Sequence, residues 1–179
     1  MSSAAGGTVS RRAKETILGV DTSIRSSGVG VLVSDGSTHH VPLYGVVKNP
    51  PKRPHSECLV HLAGRVEELL DEFAPDAVAI EGVFHCKNAR TALVLGQARG
   101  AVMTVVARRK IPVYEYAPRL VKKAVAGFGG AGKEQMARSV RMLLNLDEEP
   151  QSDAADALAI ALCHVQQLRV SGMIEPTRL

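Results

Sequence analysis

The sequence lacks the features of a membrane protein, of a secreted protein and of a P-loop nucleotide-binding protein. No apolar run approaches the roughly 18 residues that a membrane span needs. The first eight residues are small and polar, without the apolar segment of a signal peptide. We therefore expect a disordered tail over residues 1–14 and a cytoplasmic protein. No GxxxxGK[ST] motif occurs, because Gly132-Lys133 is followed by Glu134. The glycine-rich stretch 127–132 is therefore interpreted as a flexible loop or hinge rather than as a nucleotide site.

Cysteine is also scarce. The three cysteines, Cys58, Cys86 and Cys163, are odd in number, and their spacing matches no common zinc-binding pattern. We expect reduced thiols, with a structural zinc site as the alternative.

Positive charge is concentrated in the middle of the chain. The 179 residues suit one domain, and 45% hydrophobic with 22% charged residues is ordinary for a globular fold. Residues 83–146 contain twelve Lys or Arg against two acids, whereas the rest of the chain has ten Lys or Arg and sixteen acids. Such a sector is typical of polyanion binding, although solvated helix faces would give the same composition.

Periodicity predicts a mixed α/β domain over residues 15–169, followed by a C-terminal tail over 170–179. Strands are expected at 16–21, 27–33, 40–47, 77–81 and 111–115, where short apolar runs end in acids or turn residues. Helical spacing of apolar residues predicts helices at 57–73, 88–109, 118–126, 133–146 and from 152, with Ser152 as a candidate N-cap. The result is a five-stranded mixed sheet flanked by helices.

The long helix at 88–109 contains Gly96 and Gly100, four residues apart. Glycine inside a helix costs about 1 kcal/mol relative to alanine, which suggests that another backbone approaches closely. Packing on the sheet and a dimer interface both remain open.

Four acids are predicted to meet at one point. Asp21 and Glu81 end apolar strands that would be parallel neighbours, and Asp153 and Asp156 share one face of the last helix. Four clustered carboxylates repel one another unless cations compensate, and oxygen ligands favour Mg²⁺ or Mn²⁺. Two such ions can support phosphodiester hydrolysis. Singly, each acid could instead form a turn, an ion pair or a helix-dipole contact, but the set beside a basic sector favours a metal-dependent nuclease.

Two long motifs carry a resemblance to a known family. Residues 80–100, IEGVFHCKNARTALVLGQARG, and residues 153–161, DAADALAIA, resemble signatures of the RuvC family of Holliday-junction resolvases. Tyr114-Glu-Tyr-Ala and Val121-Lys122 resemble shorter family segments, and the likeness runs collinearly from about residue 17 to 168.

The resemblance implies an RNase H-like fold and a homodimer that nicks four-way DNA junctions in pairs, in homologous recombination and repair. It implies two Mg²⁺ per subunit, with Mn²⁺ accepted in their place, and partners of the RuvA and RuvB branch-migration type. It places metal-binding acids at Asp21, Glu81, Asp153 and Asp156, and catalytic lysines at Lys122 and Lys133. For DNA binding, the expected residues are Phe84, Lys87, Asn88, Arg90, Arg99, Lys122, Lys123 and Lys133.

One departure from the family pattern affects the turn after the first acid. The family usually has Pro-Gly there, whereas this chain has Thr22-Ser23, so the turn must be built differently. If that change ruins metal binding, the chain would be a non-catalytic junction-binding protein. An RNase H-like nuclease acting on RNA–DNA hybrids is a second alternative. A sugar-kinase-like phosphotransferase, suggested by Gly28-Val-Gly30, is a weaker third, because the chain is short for two lobes.

Overall fold

The computed structural model describes residues 13–82, 88–169 and 177–179. Its elements, in chain order, are β1 (Glu15–Asp21), β2 (Ser26–Ser34), β3 (His39–Lys48), α1 (His55–Phe73), β4 (Ala77–Glu81), α2 (Ala89–Arg108), β5 (Val113–Tyr116), α3 (Pro118–Ala126), α4 (Lys133–Leu144), α5 (Ser152–Arg169) and β6 (Thr177–Arg178).

The strands form one mixed sheet in the order β3-β2-β1-β4-β5-β6. β1 pairs antiparallel with β2 and parallel with β4, and β5 continues the parallel part. β1 and β4 lie in the interior of this sheet, which explains their nearly unbroken apolar sequences. The arrangement confirms the α/β, RNase H-like class expected from the sequence.

Helices cover both faces of the sheet, and each face has its own core. On one face, α1 and α2 pack against strand residues such as Val20 and Ile80. On the other, α3, α4 and α5 pack against residues such as Ile17, Ala79 and Tyr116. Within the described parts of the chain, no helix combines the length and apolar character needed to cross a membrane.

The observed sheet has six strands rather than the predicted five. β6 pairs antiparallel with β5 through Thr177 and Arg178, inside the stretch assigned to a C-terminal tail. Two residues are too short to show alternation, so periodicity could not reveal this strand.

Most predicted element ends differ from the structure by one or two residues; for example, α4 ends at Leu144 rather than at 146. β5 begins at Val113 rather than at 111. Ser152 is the first residue of α5 rather than its cap, and its buried hydroxyl has no hydrogen-bond partner among the residues that the structure describes. The first helical bond instead runs from the Ala155 amide to the Gln151 carbonyl, at 2.8 Å.

Candidate active site

Two acids lie side by side at one edge of the sheet. β1 and β4 are parallel, with Val20 opposite Ile80, so Asp21 and Glu81 follow at the same end of adjacent strands. Residues 17–20 of β1 and 77–80 of β4 are buried, and the acid that ends each strand is partly exposed. Both carboxylates therefore lie at the surface, at the ends of strands that the core holds in place.

Glycines in the central strands let α5 lie directly on the sheet. Gly28 is opposite Asp21 in the β1–β2 register. A Cβ on Gly28 would stand 1.7 Å from the Asp153 carbonyl oxygen, and one on Gly19 would stand 2.0 Å from the Ala157 carbonyl oxygen. Any side chain at these positions would push α5 away, so the glycines bring Asp153 beside Asp21. This packing also accounts for the Gly28-Val-Gly30 pattern.

Three carboxylates converge into one cluster. One oxygen each from Asp21, Asp153 and Asp156 lies within 4.8 Å of the others, a spacing at which a single cation could be held. Glu81 is outside this tight group, but its charge acts on Asp21, and the charge of Asp156 acts on Glu81. The structure thus brings together the four acids predicted from the sequence, three of them at ligand distance.

Proton affinities in the cluster are raised because negative charges are held together away from water. Burial is the main reason that the pKa of Asp21 rises from its usual 3.8 to about 7. The charges of three neighbours act in the same direction, namely Asp156, Glu81 and Asp153. Burial also raises the pKa of Glu81 and that of Asp156. Such a site favours a compensating cation.

Two lysines stand close enough to the cluster to oppose these shifts. The charge of Lys122, on α3, lowers the pKa values of Glu81 and Asp156. The charge of Lys133, the first residue of α4, lowers those of Asp21 and Asp156. Both lysines predicted from the sequence are therefore beside the carboxylates.

A serine that the sequence analysis missed supports the cluster. The Ser26 hydroxyl donates a short hydrogen bond to the Asp153 carboxylate, from the first residue of β2. A single serine at a strand start carries no signal of such a contact, since its partner lies 127 residues away.

The turn after Asp21 is closed by side chains in place of the family's Pro-Gly. Ser27 is buried; its hydroxyl donates to the Ser23 carbonyl oxygen at 2.5 Å and accepts from the Ser23 amide at 2.9 Å.

The loop before α1 also holds this turn. The buried Asn49 side-chain amide donates to the Ile24 carbonyl at 2.8 Å. A guanidinium nitrogen of Arg25 donates to the Pro50 carbonyl at 2.7 Å. This backbone is therefore tied down by the loop before α1.

Arg99 supports the end of β4. One guanidinium nitrogen donates to the Glu81 carbonyl oxygen at 2.7 Å, and the other forms a short ion pair with Glu115. Only 12% of the Arg99 side chain is exposed. Arg99 therefore holds the end of the strand that carries Glu81, and its expected contact with DNA stays a prediction.

The other predicted DNA-contacting residues are placed as follows. Phe84 and Lys87 lie outside the described residues. The Asn88 side-chain oxygen caps α2 by accepting from the Thr91 amide at 2.9 Å. Arg90 and Lys123 are exposed.

The glycine pair in α2 faces outward. Gly96 and Gly100 are both exposed, and a Cβ added to either would meet no described atom within 4 Å. Leu93, one turn earlier, is 69% exposed. Of the two explanations left open by the sequence, packing on the sheet is wrong.

Comparison with known proteins gives consistent matches. The family model described as crossover junction endodeoxyribonuclease RuvC matches residues 17–164. The RuvC of Myxococcus xanthus (strain DK1622) is 46% identical over 158 residues, 87% of this chain and 82% of that protein. The RuvC of Maricaulis maris (strain MCS10) is 46% identical over 157 residues, 88% and 94% of the two chains.

Solved structures agree with this result. T. thermophilus RuvC in complex with a Holliday junction substrate is 39% identical with a TM-score of 0.83, and the match covers 91% of this chain and 99% of that one. The yeast mitochondrial Holliday junction resolvase Ydc2 has a TM-score of 0.59 at 13% identity, covering 90% and 85%, which shows a shared fold alone.

Proposed function

The chain belongs to the RuvC family of crossover junction endodeoxyribonucleases, and on that basis we propose that it resolves four-way DNA junctions by paired, metal-dependent nicks. The observation that carries this proposal is the convergence of Asp21, Asp153 and Asp156, with Glu81 beside them. A relative with 39% identity was solved with a Holliday junction substrate.

The donor set fits divalent cations. It consists of carboxylates whose charges raise one another's pKa, and thiolate and imidazole ligands are absent from the group of three. Such hard oxygen ligands suit Mg²⁺, with Mn²⁺ accepted in its place. We assign two ions per subunit to Asp21, Glu81, Asp153 and Asp156. When bound, they would activate water and stabilise the leaving oxygen.

The remaining chemistry is assigned to side chains of this chain. Hydrolysis adds water to the scissile phosphorus and breaks its bond to the 3′ oxygen, which leaves a 5′-phosphate and a 3′-hydroxyl. The Lys122 and Lys133 ammonium groups stabilise the negative charge that develops on the phosphate oxygens. Ser26 fixes one oxygen of Asp153 through its hydrogen bond.

DNA contact is assigned to the basic residues around this edge of the sheet. Arg90 and Lys123 are exposed and suit phosphate contacts, which set position without reading sequence. Asn88 stands at the start of α2, next to the segment that contains Phe84 and Lys87. Stacking of Phe84 on a junction base stays a prediction.

Paired nicking calls for two active sites, and we assign the dimer contact to the outer face of α2. Gly96 and Gly100 leave a shallow strip on this face, beside the exposed Leu93. Small residues let helix backbones approach closely. Cooperation with branch-migration proteins of the RuvA and RuvB type, in recombination and repair in the cytoplasm, stays a prediction.

Substrate comparison tests the proposal. A mobile synthetic four-way junction, a linear duplex and an RNA–DNA hybrid are incubated with the protein in Mg²⁺ or in EDTA, alongside Asp21→Asn. We expect symmetric nicks in the junction alone, lost in EDTA and in the variant. Junction binding without cleavage in Mg²⁺ or Mn²⁺ would instead identify a non-catalytic binding protein, and preferential cutting of the hybrid would identify a ribonuclease.

A further inference from the structure

An exposed aromatic side chain lies on the glycine-rich loop between α3 and α4. Phe128 is 50% exposed, although the core formed by α3, α4 and α5 is adjacent. Four of the six loop residues, 127–132, are glycine. The loop therefore leaves the ring accessible and surrounds it with very little side-chain bulk.

Contacts on both sides of Phe128 hold the loop in place. Gly127 has φ 84° and ends α3, its amide donating to the Lys123 carbonyl at 3.0 Å. A Cβ on Gly129 would lie 3.3 Å from the Arg119 carbonyl oxygen, so the loop folds against the start of α3. Ala131 is buried in the core.

One edge of the ring lies beside the loop backbone. A Cβ on Gly130 would lie 3.5 Å from the Phe128 Cε2 atom, so this edge of the ring is close to the backbone at Gly130. About half of the side chain remains open to a ligand. An aromatic held in this way loses little conformational freedom when a ligand stacks on it.

The loop joins the two lysines of the active site. Lys122 precedes it on α3, and Lys133 follows it directly as the first residue of α4. Both lysines act electrostatically on the carboxylate cluster. Arg119 and Lys123 add further positive charge on α3. An exposed aromatic ring surrounded by positively charged side chains is the combination with which proteins bind single nucleic acid strands.

We propose that Phe128 is an aromatic contact for junction DNA, stacking on a base or sugar next to the phosphate cleaved at the carboxylate cluster. The inference rests on the proposed function and adds a contact separate from Phe84, which follows β4. A second copy of the chain fits this position less well, because one ring offers far too little area for a stable interface. The outer face of α2, moreover, belongs to the opposite side of the sheet.

Substitutions that remove or keep the ring test this contact. The proteins are wild type, Phe128→Ala, Phe128→Tyr and the control Val60→Ala, in which a residue 72% exposed on α1, across the sheet, is truncated. We expect Phe128→Ala to weaken junction binding in EDTA about tenfold, or about 1.4 kcal/mol, as loss of base stacking would. Phe128→Tyr and Val60→Ala should stay within about twofold of wild type.

A second measurement locates the contact. A photoreactive benzoylphenylalanine at position 128 should cross-link to the junction near the cleaved phosphate, whereas one at position 60 should not. Equal affinity of Phe128→Ala and Val60→Ala, without a cross-link, would overturn the inference. So would a change in oligomeric mass in Phe128→Ala. If wild type cuts the junction in these cases, the proposed function stands; if wild type neither binds nor cuts, both fail.

Discussion

Replacing Asp21 by asparagine should stabilise the metal-free protein at high pH. The folded protein keeps a proton on Asp21 up to a pKa of about 7, whereas the ordinary value is 3.8. Since the folded-state pKa is raised, the stability contributed by the neutral carboxyl is complete below about pH 4 and is lost as pH rises through about 7. Asparagine does not ionise and keeps that stability.

The size of the effect follows from the displaced pKa. The pKa of Asp21 rises from 3.8 to about 7 on folding, and each pKa unit corresponds to about 1.36 kcal/mol. The free energy of unfolding would therefore change by about 4 kcal/mol at most. Asp21 is partly exposed, and water screens its charge, so we expect about 2 kcal/mol between pH 5 and pH 8. In a domain of this size, that is about 4–8 °C in melting temperature.

Thermal melts in EDTA at pH 5 and pH 8 measure the effect. Asp147→Asn, at an exposed position, is the matched control and should not differ from wild type in its pH dependence. Adding Mg²⁺ at pH 8 should raise the melting temperature of wild type more than that of Asp21→Asn. A difference between Asp21→Asn and wild type that is the same at both pH values would refute the argument from burial and repulsion.

Three further substitutions test how the site is built. Gly28→Ala should destabilise the fold by about 3 kcal/mol or more in urea denaturation, because its Cβ would overlap the Asp153 carbonyl; native stability would contradict the close packing of α5. Ser26→Ala should weaken Mn²⁺ binding about tenfold in calorimetry, since Asp153 loses its donor; unchanged affinity would argue against this support. Arg99→Met should slow junction cleavage about tenfold with unchanged junction affinity, because it releases the Glu81 carbonyl. A loss of junction affinity without a loss of cleavage rate would instead indicate that Arg99 contacts a DNA phosphate.

The sequence was most informative where local pattern and tertiary structure coincide. β1 and β4 are interior strands, so their apolar runs identified them and the acids that end them. Helical spacing likewise put Asp153 and Asp156 on one face of α5. These two patterns were enough to predict the carboxylate cluster.

What the sequence could not show depends on contacts between distant segments. The hydrogen bond from Ser26 to Asp153 and the bond from Arg99 to the Glu81 carbonyl join different elements. Neither hydrogen bond produces a periodic pattern in the sequence. The overlap that makes Gly28 necessary exists only once α5 lies on the sheet. β6 is added by an equally non-local pairing with β5.

Cleavage of a mobile four-way junction by wild type and Glu81→Gln tests whether the carboxylate cluster is the nuclease active site. Glu81 lies beside the group of three carboxylates rather than within it, and its side chain is only partly exposed. We expect wild type to make paired symmetric nicks in Mg²⁺. Glu81→Gln should bind the same junction with similar affinity but cut it at least a hundredfold more slowly, roughly the effect of losing one stabilising group in a polar active site. Equal cutting rates for the two proteins, or no cutting by wild type, would contradict this assignment.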